Sequence, residues 1–136
     1  MAKMVLLAAF VSLAGNDLSS YARKSELTTE VEDKDVTTYA SLGWKEVIGG
    51  LKSGELGLEL LQDPAATKLD SIMWPLLGQV VPFVARLDAA PKSASNPEWA
   101  GNVLINGWNP IEGSVGDEAS VSVSYPTSGA VTRTVA

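Results

Sequence analysis

Hydrophobic and polar residues alternate with a period of two over much of this chain, which is the pattern of strands with one face buried. The clearest case is Ser53 to Leu61, where Leu56, Leu58 and Leu60 point one way and Glu55, Gly57 and Glu59 the other. Leucine is not a favoured strand residue, so the alternation and not the residue type predicts the strand. Ala119 to Tyr125 alternates as cleanly, with Val121, Val123 and Tyr125 against Ser120, Ser122 and Ser124. Ser25 to Val31 sets Leu27, Thr29 and Val31 against Glu26, Thr28 and Glu30. Val80 to Asp88 reads as a strand whose Pro82 belongs at an edge or bulge. Val103-Leu104-Ile105 centres another between Trp99 and Trp108, and Ala130 to Val135 forms a last one.

The opening segment is apolar on both faces. Val5, Leu7, Ala9, Val11 and Leu13 alternate with Met4, Leu6, Ala8 and Phe10, which predicts a first strand covered on both sides, one of them by a neighbouring subunit. Lys3 and the run after it superficially resemble the start of a signal peptide, and the run is too short to span a bilayer. One stretch changes period. Asp63 and Pro64 suit the N-cap and first position of a helix, and Leu69, Ile72, Met73 and Leu76 fall at i, i+3, i+4 and i+7. Pro75 should end that helix near Met73 or Trp74, with Trp74 in the core. About seven strands and one helix, with no internal repeat, predict a single domain over 1–136. It is mainly β: an antiparallel β-sandwich or open barrel with one short flanking α-helix.

Residues 32–50 fit none of these patterns. An acidic cluster (Glu30, Glu32, Asp33, Asp35) leads into Tyr39, Leu42, Trp44, Val47 and Ile48 and the pair Gly49-Gly50. These are too many large apolar residues for a solvated loop. They predict an extended loop that either folds back on its own sandwich or is buried by another subunit. Tyr39, Leu42, Trp44, Val47, Ile48 and, from the first strand, Phe10 are the inter-subunit contact candidates.

Composition removes most catalytic readings. The 136 residues include no histidine and no cysteine, which takes away the commonest general base, thiolate chemistry, disulfides and the usual transition-metal ligands. No cofactor and no enzymatic activity are expected. Asp33-Lys34-Asp35 and Asp117-Glu118 lack the spacing of a calcium loop and read as solvated acidic surface. Gly49 to Gly54 lacks the spacing of a phosphate-binding loop and reads as entry to a hairpin. Four tryptophans raise a carbohydrate-binding module as an alternative, with Trp44, Trp99 and Trp108 as its stacking residues, against the plainer reading of core edges and interfaces. A formal charge of −6 opposes binding to nucleic acid through phosphate neutralisation.

Several ordered segments carry a resemblance. Asn16-Asp17-Leu18-Ser19-Ser20-Tyr21 follows the first strand, and Asp35-Val36-Thr37-Thr38-Tyr39 leads to Gly43-Trp44-Lys45-Glu46. Gly50-Leu51-Lys52-Ser53-Gly54 opens the leucine-rich strand, and Leu61-Gln62-Asp63 precedes Trp74-Pro75-Leu76-Leu77-Gly78. Gly113-Ser114-Val115-Gly116-Asp117 precedes the Ser/Val strand. In this order the chain resembles the major tail protein family, the tail tube subunits of long-tailed, siphovirus-type bacteriophages. No single segment is a chemical signature; the resemblance lies in their succession along nearly the whole chain.

That resemblance implies a structural virion protein, assembled in the bacterial cytoplasm, whose hexameric rings stack into a tube through which DNA is ejected. It implies a loop reaching to neighbouring subunits, which would be residues 32–50. Its partners would be itself, the tape measure protein, the tail terminator and the distal tail protein, with DNA passing unbound and no membrane involved. The acidic balance suits such a conduit, because a negative lumen repels phosphate. Glu26, Glu30, Glu55 and Glu59 are the lumen-facing candidates. A head decoration, tail terminator or head–tail joining protein is the alternative within the virion.

Overall fold

The computed structural model describes residues 3–135. Among them are eight strands: β1 (Phe10–Leu13), β2 (Asn16–Asp17), β3 (Ala22–Asp35), β4 (Val47–Leu61), β5 (Val80–Arg86), β6 (Glu98–Leu104), β7 (Ser120–Pro126) and β8 (Thr132–Thr134). One helix, α1 (Leu69–Met73), runs into a 3-10 turn at Trp74–Leu76. The strands form two antiparallel sheets, one ordered β2-β1-β5-β6-β8 and the other β3-β4-β7. The predicted sandwich with one short helix is the observed architecture.

The alternating leucines explain how the sheets meet. Leu56, Leu58 and Leu60 of β4, together with Val121 and Tyr125 of β7, pack on Val11, Leu13, Val81, Phe83 and Val103 of the five-stranded sheet, and all are buried. At about 1.5–3 kcal/mol for each large side chain removed from water, this is the main force holding the sheets together. The polar ends of the large aromatics are satisfied. Tyr125 Oη donates to the Gly107 carbonyl at 2.9 Å and Trp108 Nε1 donates to Asp70 Oδ1 at 3.0 Å, tying the segment after β6 to β7 and to α1. Thr127 bridges to Val103, so the chain crosses from one sheet to the other at that corner.

The helix is shorter than its sequence suggests. Asp63 caps a turn, its Oδ1 accepting from the Ala65 amide at 3.1 Å, but Thr67 has φ +63° and interrupts helical geometry. The α-helix therefore begins at Leu69, not beside Pro64. The apolar stripe holds, with Leu69 and Met73 buried and Ile72 and Leu76 packed against the core. Trp74 is 58% exposed, contrary to the expectation of a core position. It follows Leu69 by five residues, which at about 100° per residue turns it well away from the stripe.

Two further expectations are corrected. The first strand does not run from residue 4. It begins at Phe10, whose partner Arg86 is the last residue of β5, so residues 4–9 have no strand to pair with. Met4 to Leu7 are exposed. And residues 32–50 are not irregular throughout, because 32–35 belong to β3 and 47–50 to β4. β3 and β4 pair from Ala22↔Leu60 out to Asp35↔Val47, with register shifts at Ala22/Lys24 and Val31/Asp33. β7 covers β4 only from Glu55 to Leu61. Beyond Gly54 the other two strands continue as a two-stranded ribbon, an arm capped by residues 36–46. Gly49 suits this ribbon because a Cβ there would lie 3.1 Å from Val31 Cγ1.

Candidate assembly surfaces

The arm tip is built from short polar side chains that fix its backbone. The Thr37 amide donates to Asp35 Oδ1 at 2.8 Å, the Glu46 amide donates to Thr37 Oγ1 at 2.8 Å, and the Val36 amide donates to the Glu46 carbonyl at 2.9 Å. The Thr37 hydroxyl and amide together hold the Asp35 carboxyl below its ordinary range. Ser41 Oγ accepts from the Thr38 amide at 3.1 Å, closing a 3-10 turn over Tyr39–Ser41. Leu42, at φ +54°, and Gly43, at φ +85°, then reverse the chain.

On this ordered frame stand Tyr39, Leu42 and Trp44, exposed by 103%, 85% and 78%. Val47, Ile48 and Leu51, along the returning strand, are exposed as well. Five of the six contact candidates thus gather on one arm. Phe10 does not join them: it lies half-buried at the edge of the five-stranded sheet, with the Arg86 guanidinium 4.1 Å from its ring centre. Arg86 in turn pairs with Glu98 at 2.9 Å, and Lys92 reaches the same carboxylate at 3.4 Å. Leu51 belongs to the arm but was not among the candidates.

The second surface is the outer face of the three-stranded sheet. Residues paired across strands share a face. The pairs Lys24↔Glu59, Glu26↔Gly57, Thr28↔Glu55 and Glu30↔Ser53 therefore put Glu26, Glu30, Glu55 and Glu59 together, opposite the leucine face. Ser122 and Ser124 extend that face onto β7, and Ser124 Oγ hydrogen-bonds Glu55. Arg23 pairs with Glu59 and Glu118, each at 2.6 Å, and the Arg23 guanidinium holds the Glu118 carboxyl below its ordinary range. The face is polar, carboxylate-rich and without an apolar patch. Both edges of this sheet, β3 and β7, have one side without a partner strand.

Two grooves lie at the end of the sandwich from which the arm leaves. One, of about 320 Å³, runs between the sheets and is lined by Leu6, Leu27, Leu56, Leu87 and Trp99. The other, of about 440 Å³, continues past Thr29 and Trp99 to Lys52, Val131 and Arg133. Among the described residues no cluster of three acidic side chains converges as a metal site, and no helix is long and apolar enough to cross a membrane. The tryptophans form no common platform: Trp44 is on the arm, Trp99 in β6 and Trp108 is buried.

No family model matches this chain. No curated protein matches it either. Solved structures do. A chain from the virion of a native gene transfer agent particle superposes with a TM-score of 0.72 at 22% identity, over 93% of this chain and 95% of that one. The fold is that of the virion chain. A chain from the tail of an empty gene transfer agent particle, determined with C6 symmetry, matches with a TM-score of 0.70 at 22% identity, over 94% of this chain and 95% of its own. Both matches cover nearly the whole of each partner, so the arm and the sandwich belong to one shared architecture.

Proposed function

We propose that this chain is a structural, non-enzymatic subunit of a phage-type tail, forming six-membered rings that stack into a tube for DNA. The observation that carries this reading is the arm: an ordered β-ribbon that presents two aromatics and a leucine to solvent at its tip. A monomer gains nothing from such exposure, and large exposed apolar groups in proteins mark interaction sites. The near full-length likeness to a chain of a six-fold-symmetric tail supports the same geometry.

In this reading the β3 edge of one copy joins the β7 edge of the next. The interface is heterologous and closes into a ring, which removes both free edges. The glutamate-bearing face then lines the lumen and repels DNA phosphate, so DNA passes without specific binding. The arm reaches a copy outside its own subunit and joins ring to ring, with Tyr39, Leu42, Trp44, Val47 and Ile48 as contacts. Other tail components, a tape measure, a terminator and a distal tail protein, meet the tube's contents and ends. The chain's place is in the virion tail.

Electron microscopy of concentrated protein tests this. Stacked rings with a central hole are expected. Particles that stay monomeric at high concentration would refute it, and single rings that never stack would favour a terminator or joining protein.

A further inference from the structure

The arm's exposed tip and the apolar groove are both unfilled, and both belong to the same chain. Resting on the assembly reading above, we infer that the groove around Trp99 is the receptor for the arm tip of a second copy.

Three observations point there. First, the arm cannot serve its own groove. The groove ends at the Val31↔Lys52 pair, and from there to Asp35 the ribbon stays paired, which at about 3.3 Å per residue carries the tip some 13 Å beyond the groove's edge. Folding back would break those pairs, and the exposure of Tyr39, Leu42 and Trp44 shows that the tip touches no part of its own sandwich. Second, the tip is large enough to anchor an interface. Each aromatic buries about 150–250 Å² on docking, so the tip with Val47 and Ile48 supplies most of the roughly 800 Å² that a stable interface takes from one partner.

Third, the charges are complementary. The arm carries Asp33, Asp35 and Glu46 against the cation Lys45, none of them in an ion pair among the described residues. The far end of the groove carries Lys52 and Arg133 against the single carboxylate Glu30, again with no ion pair among the described residues. An apolar knob with a net negative flank thus meets an apolar slot with a net positive end. Because tip and receptor are different surfaces, the contact is heterologous and can repeat without limit, as stacking requires.

The absence of native cysteine makes the contact directly readable. Trp44→Cys and Leu87→Cys proteins are mixed, assembled and treated with a short bis-maleimide. Tyr39→Cys replaces Trp44→Cys in a parallel mixture, in case loss of the indole weakens assembly. Ser122→Cys, on the glutamate face, is the control partner. Cross-linked dimers are expected with Leu87→Cys and not with Ser122→Cys. Tubes that form without a link to Leu87→Cys from either tip position overturn the groove assignment and leave the tail reading standing. A link to Ser122→Cys in its place also overturns it. If neither these proteins nor the parent chain forms rings or tubes, both readings fall.

Discussion

β3 and β4 are two different structures joined end to end. Over their sandwich half, residues 22–29 and 54–61, every second side chain of β4 is buried. Over their arm half, residues 30–35 and 47–53, none is, although the backbone pairing continues. The same ladder of hydrogen bonds holds both halves, so the ladder cannot be what makes the first half stable and the second available. The difference is burial. A net hydrogen bond contributes about 1 kcal/mol, and a two-stranded hairpin alone is marginal in water. The arm persists because it is continuous with a strand pair anchored by leucines, and because its tip is tied by Asp35, Thr37 and Ser41. It stores apolar surface that the sandwich half has already spent on its core.

Removing the arm separates the two halves most drastically. Replacing Asp33–Gly49 by a two-residue Asn-Gly turn should leave a sandwich that melts cooperatively, since no core side chain is lost. It should abolish tube formation. Tubes that still form in the microscope would show that stacking does not depend on the arm.

The next largest contrast is between leucines of one strand. Leu58→Ala should cost about 2–5 kcal/mol in denaturant unfolding, as expected for a large side chain deleted from a packed core. Leu51→Ala, seven residues earlier, should stay within about 0.5 kcal/mol as a monomer, because Leu51 is exposed. Its effect should appear only as weakened assembly. Equal losses in the two monomers would mean that the arm is packed in solution.

The same contrast explains what could be read from the sequence. Alternation requires two different environments, and where β4 has them its facing was legible: Leu56, Leu58 and Leu60 inward, Glu55 and Glu59 outward. The grouping of four glutamates on one face followed from the same periodicity once the register was known. On the arm both faces meet solvent, so Val47, Ile48 and Leu51 fall without a period of two and the ribbon was missed. Its apolar content still marked it as surface needing cover. The first strand failed for the opposite reason: its residues alternate, but before Phe10 no strand lies beside them. Trp74 needed a helix boundary, and Thr67's left-handed backbone, which set that boundary, has no sequence signal.

A smaller effect tests the outer face of the sandwich half. Glu26→Lys with Glu55→Lys changes two exposed side chains, so stability should move by no more than about 1 kcal/mol. If that face lines a lumen, assembled tubes of this variant should retain duplex DNA at low salt and release it as salt rises, whereas parent tubes should not. Retention identical to the parent would place the glutamates elsewhere in the assembly.

The subtlest effect lies at the tip. Asp35 accepts the Thr37 amide in the native arm, and its carboxyl is held below the ordinary range of about 3.9. A depressed carboxylate contributes order that is complete above its unfolded value and is lost as pH falls through the lower native value. Amide exchange at Thr37 and Glu46 should therefore quicken, relative to the core, as pH drops below about 4. Asp35→Asn removes the titrating group, so the relative rate should become flat across that window, with the global melting temperature unchanged because the sandwich does not lean on the arm. A parallel loss of protection at Val121 or Leu58 would mean the tip is coupled to the core, and the division between the two halves of β3 and β4 would have to be redrawn.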